Sequence, residues 1–312
     1  MMRICKVCLS GTLELKYFNT SDYLFGVKGI FNYSACTNCN SFQIDKEFTD
    51  VEISHFYKNY FTHESSVVAL KNNNLKVLIN KLLNKLYSYT LTRLLIDFLI
   101  PRYSRKRLFI DNSRNLKILD YGCGNGRQMI TLKENGHDTI GLDFDLLALS
   151  SARKNGLNVK HVSDLTSNEK FDVISLLNVI EHLSAPENVI IQLGGNLNDQ
   201  GLLIIETPNA QSFLSRKLMS KWRGLEVPRH LQVFSNEGLN ILLERCGFKL
   251  TKVNRINAYK FYLAESNISS KEKQKYRLFY FFIWPILLFA PSLRETNLRV
   301  YNKISTTDVK RK

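Results

Sequence analysis

Residues 117–128 read KILDYGCGNGRQ, and this stretch has the pattern of a strand that runs into a glycine-rich turn. An apolar run, typical of a buried strand, leads directly into Gly122, Gly124 and Gly126. Glycines at alternate positions let the backbone bend sharply and approach a ligand without Cβ clashes. A dinucleotide-binding loop has its third glycine one place later, where this chain has Arg127. The spacing therefore disfavours NAD as the ligand, although NAD-binding domains also place a glycine-rich turn between a strand and a helix.

Strand and helix patterns alternate after this stretch, as expected for a parallel sheet with right-handed crossovers. We predict strands at 116–121, 138–143, 158–162, 171–177 and 201–207, and helices at 127–135, 145–155, 186–198 and 236–246. Two later stretches, FKLTKVNRI and NLRVYNKIS, are predicted as further strands. The predicted fold class is α/β, with a Rossmann-like, mostly parallel sheet of seven strands that ends in an antiparallel hairpin.

Polar side chains lie at or just after the ends of successive predicted strands. Asp120 ends the first strand, and Asp143 ends the second, where its carboxylate is placed to accept hydrogen bonds from two ribose hydroxyls. Asp164 ends the third strand, within reach of an adenine amino group, and Asn178 follows the fourth. Each residue alone is also compatible with a helix cap or a solvated loop. Their order on successive strand ends predicts a nucleotide-type cofactor site.

At these motifs the chain resembles the class I S-adenosylmethionine-dependent methyltransferases, particularly the branch with quinone-biosynthesis O-methyltransferases and enzymes of surface-glycan pathways. The resemblance covers about residues 50 to 255 and rests on ILDYGCGNG, GLDFD, SDL, FDVISLLNVIEHL, GLLIIETPN and RHLQVFSNEGLNILLERCGF. It implies that the glycines line the methionine part of the cofactor. It also implies the cofactor-binding set Asp120, Gly122, Cys123, Gly124, Gly126, Asp143, Phe144, Asp164, Leu165 and Asn178.

Four of the six cysteines form two C-x-x-C pairs, Cys5 with Cys8 and Cys36 with Cys39, separated by 27 residues. Four thiolates are a closed tetrahedral set, so the pattern predicts structural zinc in a small ribbon-like module that does no chemistry itself. Redox dithiols or chance spacing are the alternatives. Such modules resemble those in front of certain sugar methyltransferases and some ribosomal RNA methyltransferases, so the module does not select a substrate.

Two histidines are candidates for catalysis. Methyl transfer from a sulfonium needs an aligned acceptor and, for a hydroxyl, a base. His182 follows the fourth strand and His230 lies beyond the fifth, so both could project over the edge where the methyl group is delivered. Glu181 could orient an imidazole or help to bind a metal. RNA 3′-end methyltransferases of the family use Glu-x-x-Glu-His for metal, and Asn178 at the first acidic position counts against a metal-assisted mechanism here.

The long connection after the fifth strand mixes aromatic and basic residues, as a substrate lid would. The alternative to a lid is a long loop that only runs over the surface. The segment NVIEH lacks the paired prolines and aromatic residue of amino-group DNA methyltransferases, which disfavours that class.

The chain carries 43 Lys and Arg against 28 Asp and Glu, a net charge of +15. A surface this basic attracts phosphates, acidic glycans or anionic lipids, although scattered solvated lysines would also account for it. Residues 278–290 are uncharged and flanked by basic residues, and they are too short to span a bilayer. They fit a segment at the headgroup boundary or a core helix. With no signal peptide pattern, we expect a cytoplasmic protein that contacts the inner membrane face.

The predicted organisation is a zinc-binding module (1–60), a helical linker or cap (61–115), a methyltransferase core (116–255, with a lid at about 208–235) and a C-terminal apolar, basic helix with the last strand (256–312). The favoured function is O-methylation of a sugar, glycan or lipid-linked intermediate, so the expected partner is a small-molecule, glycan or lipid-linked acceptor. RNA methylation with the zinc module as a nucleic-acid platform, and cofactor or partner binding without turnover, are the alternatives.

Overall fold

The computed structural model describes residues 4–57, 110, 113–253, 259–290 and 293–304. Most of the predicted helical linker or cap at 61–115, including the apolar, helically spaced stretch at 75–103 where we predict two helices, lies outside these residues. The described strands form one sheet of seven strands and one of four.

The large sheet confirms the predicted seven-stranded, mostly parallel architecture. The strands are β4 (Lys117–Tyr121), β5 (Asp138–Asp143), β6 (Val159–His161), β7 (Phe171–Leu177), β8 (Leu197–Pro208), β10 (Phe248–Val253) and β11 (Thr296–Lys303). Their order in the sheet is β10-β11-β8-β7-β4-β5-β6, in which β6, β5, β4, β7 and β8 run parallel and β11 is antiparallel to both of its neighbours. The last two strands pair as predicted, but two helices separate them in the chain and β11 inserts between β8 and β10.

Helices follow the strands close to the predicted positions. Each of the first two core helices ends just before a glycine with positive φ, Gly136 at 87° and Gly156 at 69°, a conformation that stops a helix at low cost. The helices are α1 (Asp50–His55), α2 (Arg127–Glu134), α3 (Leu146–Lys154), α4 (Pro186–Asn196), α5 (Phe213–Leu218), α6 (Asn236–Arg245), α7 (Tyr259–Glu265) and α8 (Ser270–Phe289).

The N-terminal segment forms a four-stranded antiparallel sheet of β1 (Leu13–Thr20), β2 (Phe31–Cys36), β3 (Phe42–Ile44) and β9 (Gln232–Val233). The fourth strand comes from the far end of the predicted lid, so the lid and the cysteine-bearing segment share one sheet. Beside it, Arg245 of α6 donates to the carbonyl of Val7 at 2.6 Å. The cysteines pack in the same apolar cluster as Leu239 and Leu242 of α6.

The predicted lid is packed rather than extended into solvent. Trp222 and Leu225 are fully buried, and Trp222 stacks on Tyr262 of α7 with ring centroids 5.7 Å apart. The segment is therefore held as a fixed wall over one end of the large sheet. In the part of the chain that the structure describes, we find no helix with the length and apolar character needed to cross a membrane.

Candidate functional site

The glycine loop leaves β4 at the carboxyl edge of the sheet. Gly122, Gly124 and Gly126 have φ values of 77°, 54° and 80°, which L side chains rarely adopt. A Cβ on Gly122 would lie 2.4 Å from a methyl carbon of Val179, and one on Gly126 would lie 2.1 Å from a methyl carbon of Leu157. These two glycines are therefore required by packing and by backbone conformation, and they bring the loop against Val179, which follows β7, and against Leu157, which precedes β6.

Asp143 and Asp120 lie under this loop. Asp143, at the end of β5, accepts hydrogen bonds from the backbone N–H of Gly124 at 2.7 Å and of Asp145 at 2.9 Å. Asp120 accepts one from the Ser175 hydroxyl at 2.9 Å. Burial raises the pKa of both carboxyls, that of Asp120 to about 7. Asp143 therefore connects the glycine loop to β5, and Asp120 connects β4 to β7. A ligand with hydroxyl groups at this edge would contact Asp143.

The remaining predicted cofactor residues lie along the same edge. Asp164 ends an exposed turn after β6, and Asn178 follows β7 in a left-handed conformation with φ 55°. Phe144 is 47% exposed beside Asp143, whereas the thiol of Cys123 is buried. Leu165 packs against the main apolar cluster. The structure thus brings all ten predicted residues to the ends of four adjacent parallel strands, and their contacts with a cofactor stay a prediction.

His182 and His230 lie together, with ring centroids 4.6 Å apart. Nδ1 of His182 is 3.0 Å from the carbonyl of Arg229, and Nδ1 of His230 is 2.8 Å from the carbonyl of Gly224. Because a carbonyl only accepts hydrogen bonds, Nδ1 of His230 carries the hydrogen. Nδ1 of His182 also lies 2.8 Å from the Tyr57 hydroxyl, so it donates to the carbonyl when that hydroxyl accepts, and it accepts when the hydroxyl donates. His182 is part-buried and His230 is buried, so His182 is the more accessible base.

Glu181 is fully buried beside this pair, and its Oε1 lies 3.9 Å from Nε2 of His230. Within the described residues, neither carboxyl oxygen has a close hydrogen-bond partner. Burial raises the pKa of Glu181 to about 8, and burial lowers the pKa of His182 and brings that of His230 to about 3. All three groups are therefore neutral near pH 7. Their ligand atoms lie within 4.8 Å of one another, so they could also hold a metal ion.

The sequence interpretation missed two residues of this site. The Tyr57 hydroxyl lies 2.8 Å from Nδ1 of His182, and its ring packs on Phe144 with centroids 5.2 Å apart. Tyr57 thereby links the histidine to the cofactor edge. The buried Arg229 side chain forms an ion pair with Asp22 at 2.9 Å, joining the lid to the N-terminal segment. Arg229 is the first residue of the RHLQVF motif, which is the sequence signal that could have found it. No sequence signal pointed to Tyr57.

The four N-terminal cysteines come together as predicted. Sγ of Cys5 lies 3.8 Å from that of Cys39, and Sγ of Cys8 lies 3.5 Å from that of Cys36, and all four are free thiols. Tetrahedral zinc with Zn–S distances of about 2.3 Å separates thiolates by roughly 3.8 Å, so the cluster fits the ion. A Cβ on Gly11 would lie 2.2 Å from Sγ of Cys36, which reserves this position for glycine.

The sheet order and the edge of glycine and carboxylate groups define a class I S-adenosylmethionine-dependent methyltransferase domain. The family model described as "Methyltransferase domain" matches residues 92–253, more than half of the 312-residue chain. The chain belongs to this family.

Relatives with assigned names match a shorter stretch. The ubiquinone biosynthesis O-methyltransferase of Glaesserella parasuis is 34% identical over 107 residues, 30% of this chain and 45% of that protein. The Rickettsia prowazekii enzyme of the same name is 31% identical over 126 residues, 36% of this chain and 47% of that protein. The chain thus spans a little under half the length of these relatives.

Solved methyltransferase structures resemble the chain at low identity. A Mesorhizobium loti S-adenosylmethionine-dependent methyltransferase has a TM-score of 0.44 at 15% identity, covering 66% of this chain and 99% of that one. A Burkholderia thailandensis 1,6-didemethyltoxoflavin-N1-methyltransferase has a TM-score of 0.46 at 14% identity, covering 94% and 100%. Both scores are below 0.5, and the fold follows from the strand order itself.

Proposed function

We propose that the protein transfers a methyl group from S-adenosylmethionine to a hydroxyl of a sugar, glycan or lipid-linked acceptor. The observation that carries this proposal is the part-buried His182, an imidazole that Tyr57 connects to Phe144 at the cofactor edge. The ubiquinone-biosynthesis relatives are named O-methyltransferases, which is consistent with a hydroxyl acceptor.

In this reaction the acceptor oxygen attacks the methyl carbon in line with the leaving sulfur. The C–S bond breaks as the O–C bond forms, the sulfonium charge is neutralised, and S-adenosylhomocysteine leaves. Nε2 of His182 takes the hydroxyl proton, while the carbonyl of Arg229 holds the tautomer that can accept it. The His230 ring packs edge-on against the His182 ring with centroids 4.6 Å apart, and this contact positions the His182 imidazole.

The test is incubation of the protein with methyl-labelled S-adenosylmethionine and fractionated cell extract. Label is expected in a glycan or lipid fraction, in a base-stable ether linkage. Label confined to RNA would contradict the proposal and favour RNA methylation. A parallel reaction with chelator, followed by Mg²⁺ or Zn²⁺, tests whether Glu181, His182 and His230 act through a metal instead, since their ligand atoms cluster within 4.8 Å.

The cofactor part of the proposal predicts the effect of Asp143→Ala. Loss of the carboxylate removes the ribose acceptor and also the hydrogen bonds from Gly124 and Asp145. Two charge-assisted hydrogen bonds correspond to about 3 kcal/mol or more, so we expect S-adenosylmethionine to bind at least ~100-fold more weakly by calorimetry. Asp138→Ala, at the exposed start of the same strand, is the control. Equal affinity of the two variants for S-adenosylmethionine would show that Asp143 does not bind the cofactor.

We also propose that α8 rests on an anionic membrane. Lys271, Lys275, Leu278 and Phe282 recur at intervals of four and three residues, which places them on one helix face. All four are exposed, Leu278 by 61% and Phe282 by 75%. A row of lysines continuing into exposed apolar side chains suits the headgroup boundary. The helix adjoins the lid, since Phe279 packs on Phe213 with ring centroids 5.8 Å apart.

Vesicle sedimentation tests this surface. We expect the chain to bind vesicles rich in phosphatidylglycerol, and Leu278→Glu with Phe282→Glu to weaken binding at least ~10-fold, because two apolar insertions of about 1.5–3 kcal/mol each are lost. Ile191→Glu, at an equally exposed apolar residue of α4, is the matched control. Binding that is unchanged in the double variant, or absent in the parent chain, would contradict a membrane contact.

A further inference from the structure

The end of the N-terminal segment reaches the methyl-transfer site. Tyr57 lies two residues beyond α1 and is only 7% exposed. Its hydroxyl lies 2.8 Å from Nδ1 of His182, and its ring packs edge-on against the His182 ring with centroids 5.8 Å apart. The same ring contacts Phe144, with centroids 5.2 Å apart and an interplanar angle of 76°. A residue of the N-terminal segment therefore contacts both the candidate base and a predicted cofactor residue.

The main chain at Tyr57 is anchored by hydrogen bonds. The N–H of Tyr57 donates to the carbonyl of Ser54 at 3.2 Å, which continues the last turn of α1. The carbonyl of Phe56 accepts a hydrogen bond from the Arg229 guanidinium at 3.3 Å. That guanidinium is fully buried, and it also donates to both carboxyl oxygens of Asp22, at 2.9 and 3.0 Å. Tyr57 is therefore held at a fixed position relative to the lid.

The surroundings of Nδ1 of His182 favour one position for the hydrogen of this imidazole. Two oxygens lie within hydrogen-bond distance of Nδ1, the Tyr57 hydroxyl at 2.8 Å and the carbonyl of Arg229 at 3.0 Å. A carbonyl never donates, whereas a hydroxyl accepts through its oxygen while its own hydrogen turns to another acceptor. A hydrogen on Nδ1 is therefore shared by both oxygens. A lone pair on Nδ1 would instead face the carbonyl oxygen, and two acceptors repel each other.

We propose that Tyr57 is a positioning residue for His182. Its hydroxyl oxygen and the carbonyl of Arg229 together hold the hydrogen on Nδ1, so Nε2 is the atom that takes the proton of the acceptor hydroxyl. When that proton reaches Nε2, Nδ1 keeps its hydrogen, and the positive imidazolium donates to the same two oxygens. Hydrogen bonds from a charged donor are stronger than neutral ones, so both contacts stabilise the ring most after proton transfer. The inference rests on the proposed function, and it makes the N-terminal segment part of the reaction centre.

The first experiment is Tyr57→Phe, which removes the hydroxyl and keeps the ring against Phe144. We expect the rate of methyl transfer at saturating acceptor fraction to fall at least ~10-fold, because a hydrogen bond to the charged imidazolium is lost. The half-saturating amount of that fraction and the affinity for S-adenosylmethionine, which reports on folding, should stay unchanged. Tyr301→Phe is the matched control, since this tyrosine of β11 is also buried and its hydroxyl lies 2.9 Å from Oδ1 of Asn240. It should keep the parent rate.

A double variant separates positioning of His182 from a general loss of stability. In a His182→Gln background, Tyr57→Phe should cause no further loss of rate, because the imidazole through which it acts is gone. Residues in direct contact show this kind of non-additivity, whereas independent effects add. An equal loss of rate in both backgrounds would overturn the proposal, as would a Tyr57→Phe variant that keeps the parent rate.

Nitrogen NMR of the full-length protein with isotope-labelled histidine, in complex with S-adenosylhomocysteine, locates the hydrogen without any acceptor. The His182 signals are assigned by their loss in His182→Gln. We expect the hydrogen on Nδ1 in the parent and in Tyr301→Phe, and a smaller Nδ1–H fraction in Tyr57→Phe. A hydrogen on Nε2 in the parent, or an unchanged fraction in Tyr57→Phe, would overturn the proposal.

The two readouts also separate this inference from the proposed function. Methyl label found only in RNA, together with an Nδ1–H fraction that depends on Tyr57, would reject glycan or lipid methylation and retain the positioning of His182. Label in a glycan or lipid fraction, with no effect of Tyr57→Phe on the rate or on the His182 signals, would retain the proposed function and reject the role of Tyr57.

Discussion

Replacement of His182 by Gln is expected to lower kcat by about 10²–10⁴, the usual contribution of a positioned general base, while S-adenosylmethionine affinity stays unchanged. The imidazole is the most accessible basic group of the cluster, and glutamine fills similar space without a basic nitrogen. Single-turnover transfer to the labelled acceptor measures the effect. His55→Gln, at an exposed position of α1, is the matched control and should keep full activity.

The pH profile separates a base from a structural histidine. Burial lowers the pKa of His182 below the ordinary 6.5, so the imidazole stays unprotonated and active as the pH falls through 6.5. The acid limb of kcat/KM should therefore lie below 6.5, and His182→Gln should abolish that limb. A parent profile with its limb at or above 6.5, or a variant that keeps both the limb and its rate, would reject His182 as the base.

Replacement of Cys5 by Ser is expected to remove zinc and to collapse the N-terminal sheet. Zinc content should fall from one ion per chain to nearly none by elemental analysis, because three thiolates no longer close the tetrahedral set. Structural zinc contributes roughly 10–16 kcal/mol of apparent binding free energy in small modules, so the stability loss should be large. Cys246→Ser, at a part-buried cysteine outside the cluster, should keep the ion and the unfolding midpoint.

The effect should extend beyond the cysteine cluster to the acceptor site. β3 pairs with β9, and Ser235 after β9 bonds to the carbonyl of Cys39 and to the hydroxyl of Ser41. Methyl transfer should therefore fall in Cys5→Ser more than cofactor affinity does. Proteolysis of the variant should begin within the N-terminal sheet. A zinc-free variant with full activity and an unchanged midpoint would show that the cysteines do not stabilise this site.

Local patterns were sufficient to predict the large sheet. The predicted strand at 171–177 is observed with the same bounds, and the one predicted at 116–121 differs by a single residue. These predictions succeed because the spacing of apolar residues and the glycines that end helices depend only on residues close together in the sequence. β8 begins at Leu197, four residues before the predicted 201, since the helix before it passes directly into the strand. Asp143 and Asn178 could be placed at one edge because parallel strands share a direction.

Local sequence patterns were sufficient to find the glycine loop, the polar residues Asp120, Asp143, Asp164 and Asn178 at four successive strand ends, and four cysteines at zinc spacing. The contacts of Tyr57 with His182, of Arg229 with Asp22 and of Gln43 with Gln232 could be found only in the folded structure. These contacts join segments far apart in the chain, and no period or motif records them. They arise because the lid supplies β9 to the N-terminal sheet, which is a matter of packing and burial rather than of local propensity.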